Sequence, residues 1–92
     1  MIKAQEIVAI ESFSIICRFN NGEIKRLEVD KVLPINDERV SKILHKEVFD
    51  SVKVGAFGQL FWENIAEIKD EMGNVIVCEY DLSPEFVYYN SK

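Results

Sequence analysis

Alternation of apolar and polar side chains in the first third of the chain predicts a β-hairpin. One face of the segment 13–19 is apolar and contains Phe13, Ile15, Cys17 and Phe19. The next residues, Asn20-Asn21-Gly22, predict a turn because Asn and Gly accept positive φ. A second alternating segment, 23–29, forms the return strand.

The length of this turn decides which side chains share a face. If residues 20–22 all belong to the loop, Ile15 lies opposite Leu27. A two-residue turn at Asn21-Gly22 would instead place Ile15 beside Glu28. Since a slip of one residue moves a whole strand face, burial of apolar side chains favours the three-residue loop.

A helical pattern follows over about residues 37–46. Asn36 or Asp37 is the predicted cap of this helix. Its apolar stripe consists of Val40, Ile43 and Leu44. Cations that complement the helix dipole are expected near its end: Lys42, His45 and Lys46.

The second half returns to strand-like segments. Residues 52–54 and 59–62 predict two strands around a turn at Gly55-Ala56-Phe57-Gly58. Residues 64–72 fit either a capped helix or the first strand of a hairpin with a loop at 70–74. We favour the hairpin, since the strand-like run Val75–Tyr80 needs a partner.

The chain closes with a short helical turn, and the whole pattern is typical of one α+β domain over residues 1–92. Ser83 is the predicted cap of this turn, Pro84 suits its first position, and Phe86 or Tyr89 is expected to dock on the core. The predicted fold is a curled antiparallel sheet of hairpins, with the main helix packed on it.

Composition and charge narrow the function classes. Of the 92 residues 48% are hydrophobic, which is enough for a core without staples. Residues 1–46 carry eight Lys/Arg and seven Asp/Glu (+1), and residues 47–92 carry three and nine (−6), giving the net charge of −5. An acidic half argues against direct nucleic-acid binding, which needs clustered cations. The excess suits a basic partner, although solubility alone also explains it.

The start of the chain and its two cysteines predict a cytoplasmic protein. Residues 1–6 contain Glu6 and no apolar run, so we expect neither a signal peptide nor a membrane span. In a reducing compartment Cys17 and Cys78 are expected as free thiols.

Catalytic and metal-binding patterns are absent from the sequence, so we expect no enzyme, metal or cofactor. His45 is the only histidine, and Cys17 falls on an apolar strand face where a thiol is inert. The adjacent carboxylates Asp37-Glu38 and Asp70-Glu71 fall at a helix start and in a loop.

Aromatic residues are concentrated in the second half of the chain. Most are expected in the core, but Tyr and Trp left at a surface are typical anchors for a protein partner. The predicted partner contacts are Phe57, Trp62, Tyr88 and Tyr89.

The order of several short motifs resembles the domain-of-unknown-function 2442 family of small bacterial proteins. These motifs are Phe19-Asn20-Asn21-Gly22, Val48-Phe49, Val52-Lys53-Val54, Trp62-Glu63-Asn64 and Ser83-Pro84-Glu85-Phe86-Val87-Tyr88. The resemblance implies a small α+β fold without an assigned enzymatic role, and for some members an antitoxin-like pairing with a second small protein. This chain differs by inserting Lys69 to Tyr80, which predicts an extra hairpin arm.

The sequence therefore favours a non-enzymatic protein-interaction domain whose partner is small and basic, with an antitoxin-like role. Two alternatives stay open. One is a small-ligand binder or carboxylate-based enzyme, which would need distant Asp and Glu residues to converge in a cleft. The other is a self-associating subunit, such as a homodimer joined through the Val75–Tyr80 edge.

Overall fold

A computed structural model describes all 92 residues and confirms the α+β class. Two three-stranded antiparallel sheets, with orders β1-β2-β3 and β4-β5-β6, carry four short helices. The elements are β1 (Ala4–Glu11), β2 (Ser14–Phe19), β3 (Ile24–Glu28), α1 (Val29–Val32), α2 (Glu38–Ile43), α3 (Lys46–Phe49), β4 (Lys53–Val54), β5 (Leu60–Lys69), β6 (Val75–Leu82) and α4 (Pro84–Asn90).

The three-residue loop between β2 and β3 is confirmed. Gly22 has φ of 89°, and the Phe19 N–H donates to the Glu23 carbonyl oxygen at 2.8 Å. Ile15 lies opposite Leu27, and both side chains are fully buried. The return strand is one residue shorter than predicted at each end: it begins at Ile24, and Val29 already belongs to α1.

The helix predicted over about residues 37–46 is confirmed as α2, but it ends at Ile43, earlier than predicted, and a second short helix, α3, begins at Lys46. Asp37 caps α2 by accepting the Arg39 N–H. Leu44 and His45 then leave helical geometry, and His45 precedes α3 instead of ending a longer helix. Phe49 at the end of α3 is fully buried in the core.

The hairpin interpretation of residues 64–72 is confirmed by β5 and β6. These strands pair from Leu60–Leu82 to Lys69–Val75, with a bulge between Trp62 and Ala66. Asn64 in the bulge has φ of 60°, a left-handed conformation that Asn tolerates better than most residues. The bulge separates the inner part of the hairpin, which packs on the core, from its outer part.

The turn before β5 requires glycine. Gly58 has φ of 78°, and its N–H donates to the Gly55 carbonyl oxygen at 3.0 Å. A Cβ at this position would lie 2.7 Å from the Lys3 Cα. This close approach joins the two sheets, since the Ala4 N–H donates to the Gly58 carbonyl oxygen.

The C-terminal helix is confirmed and its cap is as predicted. The Ser83 hydroxyl oxygen accepts the Phe86 N–H at 3.1 Å, and Pro84 occupies the first turn. Val87 is fully buried, with Phe86 packed against the core, whereas Tyr89 is exposed. This buried face fixes α4 beside β3.

Four aromatic rings connect the two sheets through the core. Phe13 contacts Phe49 edge to face at 5.3 Å between centroids, Phe49 lies 5.9 Å from Trp62, and Trp62 lies 6.4 Å from Tyr80. The Trp62 Nε1–H donates to the Phe49 carbonyl oxygen at 3.0 Å. A buried indole N–H needs such a partner, so the bond fixes the ring as well as filling the core.

Candidate protein-interaction surface

The outer part of the β5–β6 hairpin, residues 66–79, forms an arm that extends beyond the core. The molecule measures 47 × 26 × 19 Å and has a radius of gyration of 13.8 Å. A compact chain of this length would have a radius of about 12 Å. Apart from its own two strands, the arm has few neighbours, because β4 pairs only with Phe61 and Leu60.

Apolar side chains of the arm are exposed on both of its faces. Ile68 and Ile76 pair on the same face of the hairpin as Trp62, which is buried nearer the core. An apolar row on this face therefore continues from the core into solvent. Val75 and Val77 lie on the opposite face. The exposed fractions are 55% for Ile68, 54% for Val75, 49% for Ile76 and 50% for Val77.

A two-stranded ribbon with apolar groups exposed on both faces is marginally stable by itself in water. Grouped exposed apolar residues of this kind are typical of an interaction site, unlike single ones scattered over a surface. The arm is therefore the candidate functional surface of the molecule.

The negative charge of the protein is concentrated at this arm. Residues 63–81, the arm and its base, contain six carboxylates and one cation, Lys69, a balance of −5. The whole chain also sums to −5, so the other 73 residues are neutral in total. Glu63 at the base pairs with Lys53 at 3.0 Å, whereas Glu67, Glu71 and Glu79 are in no ion pair.

The loop at the end of the arm is closed by one carboxylate. Asp70 Oδ1 accepts the backbone N–H groups of Met72 and Asn74 at 2.9 and 2.8 Å. Hydrogen bonds from the Asn74 backbone, and then from its side chain, lower the pKa of Asp70 below its usual value. The carboxylate therefore stays charged, and its contribution to the loop is lost only as pH falls below the ordinary range for aspartate.

The four predicted partner contacts differ in how far their side chains are exposed. Trp62 is fully buried, so the prediction of a partner contact there is wrong; its indole fills the core instead. Tyr88 is half-buried, packs against Phe19 and donates its hydroxyl to Glu23. Phe57 in the turn before β5 and Tyr89 on α4 are 74% and 76% exposed.

The arm residues were missed as individual contacts by sequence reasoning, which concentrated on aromatic anchors. The signals that point to them are the acidic second half of the chain and the strand-like run at 75–80, whose edge was predicted to be adhesive. Those signals locate the surface but do not show that Ile68 and Ile76 lie outside the core.

The nucleophilic and metal-binding side chains lie apart from one another. Both cysteines are free thiols. Burial raises the pKa of Cys17 to about 11, so its thiol is protonated and inert at neutral pH. His45 is exposed at the start of α3, and no group of three or more His, Cys, Asp or Glu side chains is placed to hold a metal ion.

The largest groove lies between β1 and α3 and has a volume of about 700 Å³. Its apolar lining consists of Ile7, Ala9, Ile10 and Phe13. One carboxylate reaches it, Asp50, which pairs with Lys46 at 2.6 Å. The groove could therefore give a ligand apolar contacts, but its two charged side chains already neutralise each other.

A smaller groove of about 420 Å³ brings together carboxylates that are distant in sequence. It lies between α2 and the base of the arm, and its acidic residues are Asp37, Glu38 and Glu67. Asp37 is already bound by the Arg39 guanidinium, which lowers the pKa of Asp37. Lys42 donates to the Ile65 carbonyl oxygen at 3.2 Å, so this groove also joins α2 to the arm.

No protein-family model matches the chain, and no curated protein or solved structure is significantly similar to it. The resemblance to the domain-of-unknown-function 2442 family therefore stays a prediction. None of the four helices is long and apolar enough to cross a membrane.

Proposed function

We propose that this protein is a non-enzymatic interaction domain that binds a small basic protein through the arm, and that binding neutralises the partner in an antitoxin-like manner. The observation that carries the proposal is the coincidence of charge and apolar exposure. The residues that hold the whole net charge also contain four half-exposed aliphatic side chains.

Each of these features has a separate role in binding. Unpaired carboxylates on the arm attract and orient a cationic partner, which raises the rate of association. The aliphatic side chains supply apolar surface that is removed from water in the complex, which favours the bound state. A basic protein with an apolar patch fits both requirements. The exposed rings of Phe57 and Tyr89 are additional proposed contacts.

The groove between β1 and α3 gives less support to a small-ligand function. Polar groups that fix a ligand usually converge in such a pocket. Here the charged groups at the groove, Lys46 and Asp50, are already paired with each other. The smaller groove, between α2 and the base of the arm, gives little support to carboxylate chemistry, since Arg39 holds the Asp37 carboxylate ionised by lowering its pKa.

The test is affinity capture from the host with the tagged domain, at about 0.05 M and about 1 M salt, where the screening lengths are roughly 14 and 3 Å. We expect one small basic protein to be retained at low salt and released at high salt. Absence of any specific partner at low salt would contradict the proposal, and so would retention of an acidic protein.

A further inference from the structure

The outer edge of β6 carries unpaired backbone groups along the arm. At the loop, the Asp70 N–H donates to the Asn74 carbonyl oxygen at 3.0 Å. Hydrogen-bonded and non-hydrogen-bonded pairs alternate along an antiparallel ladder, so Ile76 and Cys78 direct their backbone groups to β5. Val75, Val77 and Glu79 consequently direct theirs outward, and β6 is the last strand of its sheet.

This edge has few of the features that protect exposed strands, and its only charges are the carboxylates of Glu79 and Asp81. Protected edges carry charged side chains, most often lysine, a proline or a bulge, or are covered by another element. β6 contains no lysine, arginine or proline from Val75 to Leu82. The opposite edge, on β5, has Lys69 within the arm. At the base of the arm this edge also has the bulge at Asn64, and Lys42 from α2 donates to the Ile65 carbonyl oxygen.

We infer that the partner docks by adding a strand to the outer edge of β6 over residues 75–79, and that this strand alternates basic and apolar side chains. The inference rests on the proposed function and specifies how the basic partner is recognised. Backbone hydrogen bonds would supply the pairing, as in other complexes formed by strand addition.

The alternation follows from the two faces of β6. Neighbouring strands place paired side chains on the same face. On one face Ile76 and Cys78 continue the apolar row from the core, so the added strand needs apolar residues there. On the other face Glu79 follows Val77, with Glu67 across the arm, so lysine or arginine is favoured there.

The charge of the arm also favours a basic partner strand over a second copy of the chain at this edge. Two arms joined edge to edge would bring two segments with a charge of −3 each together, with Glu79 of each copy close to the other arm. Like charges opposite each other destabilise strand pairs. A cationic strand would instead be attracted to the carboxylates of the arm, so the charge favours a cationic strand at this edge.

The test uses three ten-residue peptides with blocked ends as probes. One alternates lysine and valine, one has the same composition with all lysines before all valines, and one has glutamate in place of lysine. Residue-resolved amide hydrogen exchange of the full chain is measured with each peptide. With the alternating peptide, we expect the Val75 and Val77 amides to slow at least about tenfold, because they gain partners. The Ile76 and Cys78 amides, already paired with β5, should change little.

A pair of variants separates backbone pairing from side-chain contact. Val77→Pro removes the outward donor, and proline is tolerated on an edge strand. Val77→Thr replaces one methyl group with a hydroxyl, which reduces the apolar contact, but keeps the backbone donor. For the alternating peptide we expect about tenfold weaker binding with Val77→Pro and a change of about threefold or less with Val77→Thr. Unchanged exchange at the Ile76 amide verifies that the arm of each variant is still paired.

Four results would overturn the inference. The alternating peptide does not bind, the block peptide binds equally well, or both variants lose the same affinity for the alternating peptide. The fourth is that, without any peptide, the Val75 and Val77 amides are protected and their protection increases with protein concentration. The last result would assign the edge to a second copy. If host capture still retains a basic protein in any of these cases, the proposed function stands and only the strand-addition mode fails.

Discussion

Trp62→Ala is expected to cost about 3–5 kcal/mol of unfolding free energy, the usual range for removing a large buried aromatic side chain. Trp62 is fully buried and contacts the rings of Phe49 and Tyr80. A domain of 92 residues has a total stability of roughly 5–14 kcal/mol. The variant should therefore lose a large share of its stability and unfold in the least favourable case.

Urea unfolding followed by far-UV circular dichroism measures this loss, because the variant no longer has the chain's only tryptophan as a fluorescent probe. The matched control is Phe57→Ala, which removes an aromatic ring that is 74% exposed and should change stability by about 0.5 kcal/mol or less. Equal midpoints for Trp62→Ala and the original chain would contradict the position of Trp62 in the core.

Trp62→Phe separates the packing of the ring from its hydrogen bond. Phenylalanine retains most of the ring contact with Phe49 but cannot donate to the Phe49 carbonyl oxygen, which Trp62 binds at 3.0 Å. Leaving a buried acceptor unpaired costs about 1–3 kcal/mol. A cost for this variant as large as that of Trp62→Ala would show that the hydrogen bond, and not the packing, dominates.

Neutralising the unpaired carboxylates of the arm is expected to weaken partner binding by about 10–100-fold. The variant Glu67→Gln/Glu71→Gln/Glu79→Gln changes the net charge from −5 to −2 without breaking any ion pair. Most of the loss should occur in the association rate and should diminish as salt increases. Capture from the host, followed by binding kinetics with the retained protein, measures both effects.

A second triple variant distinguishes the arm from the total charge. Asp30→Asn/Glu47→Gln/Glu85→Gln makes the same change in net charge with side chains away from the arm that are likewise exposed and in no ion pair. These residues are in the first turns of helices, so a small loss of stability is expected, about 0.3–1 kcal/mol each. Equal weakening by both triples would contradict the assignment of binding to the arm.

Local chemistry in the sequence was sufficient to predict the hairpins. At residues 20–22, Gly and Asn accept positive φ, and burial of Ile15 against Leu27 leaves only one register. The Ser83 cap and Pro84 likewise specify where α4 begins. In each case the deciding interactions lie within a few residues or between directly paired strands.

The break between α2 and α3 could not be predicted in the same way. The stripe of Val40, Ile43 and Leu44 fits one continuous helix, but the helix ends at Ile43, and Phe49 of the following helix packs against Phe13 and Trp62, far away in sequence. Propensity is a weak guide where a core contact determines the direction of the chain.

The candidate surface was predictable in its location but not in its residues. The acidic second half and the run at 75–80 indicate the arm from the sequence alone. Ile68 and Ile76 are exposed because they lie beyond the bulge at Asn64, in the part of the hairpin that extends past the core. The length of that part is known only from the folded chain. Trp62 and Phe57 were both predicted as partner contacts from the sequence, yet Trp62 is fully buried and Phe57 is 74% exposed.

The most direct test of the arm as the binding surface is amide hydrogen exchange of the full chain, alone and with the basic protein that it retains from its host. We predict slowed exchange within residues 63–81 and unchanged exchange along β1, β2 and the groove beside α3. Protection confined to that groove or to the β1–β3 sheet, or the absence of any retained basic protein, would contradict the account.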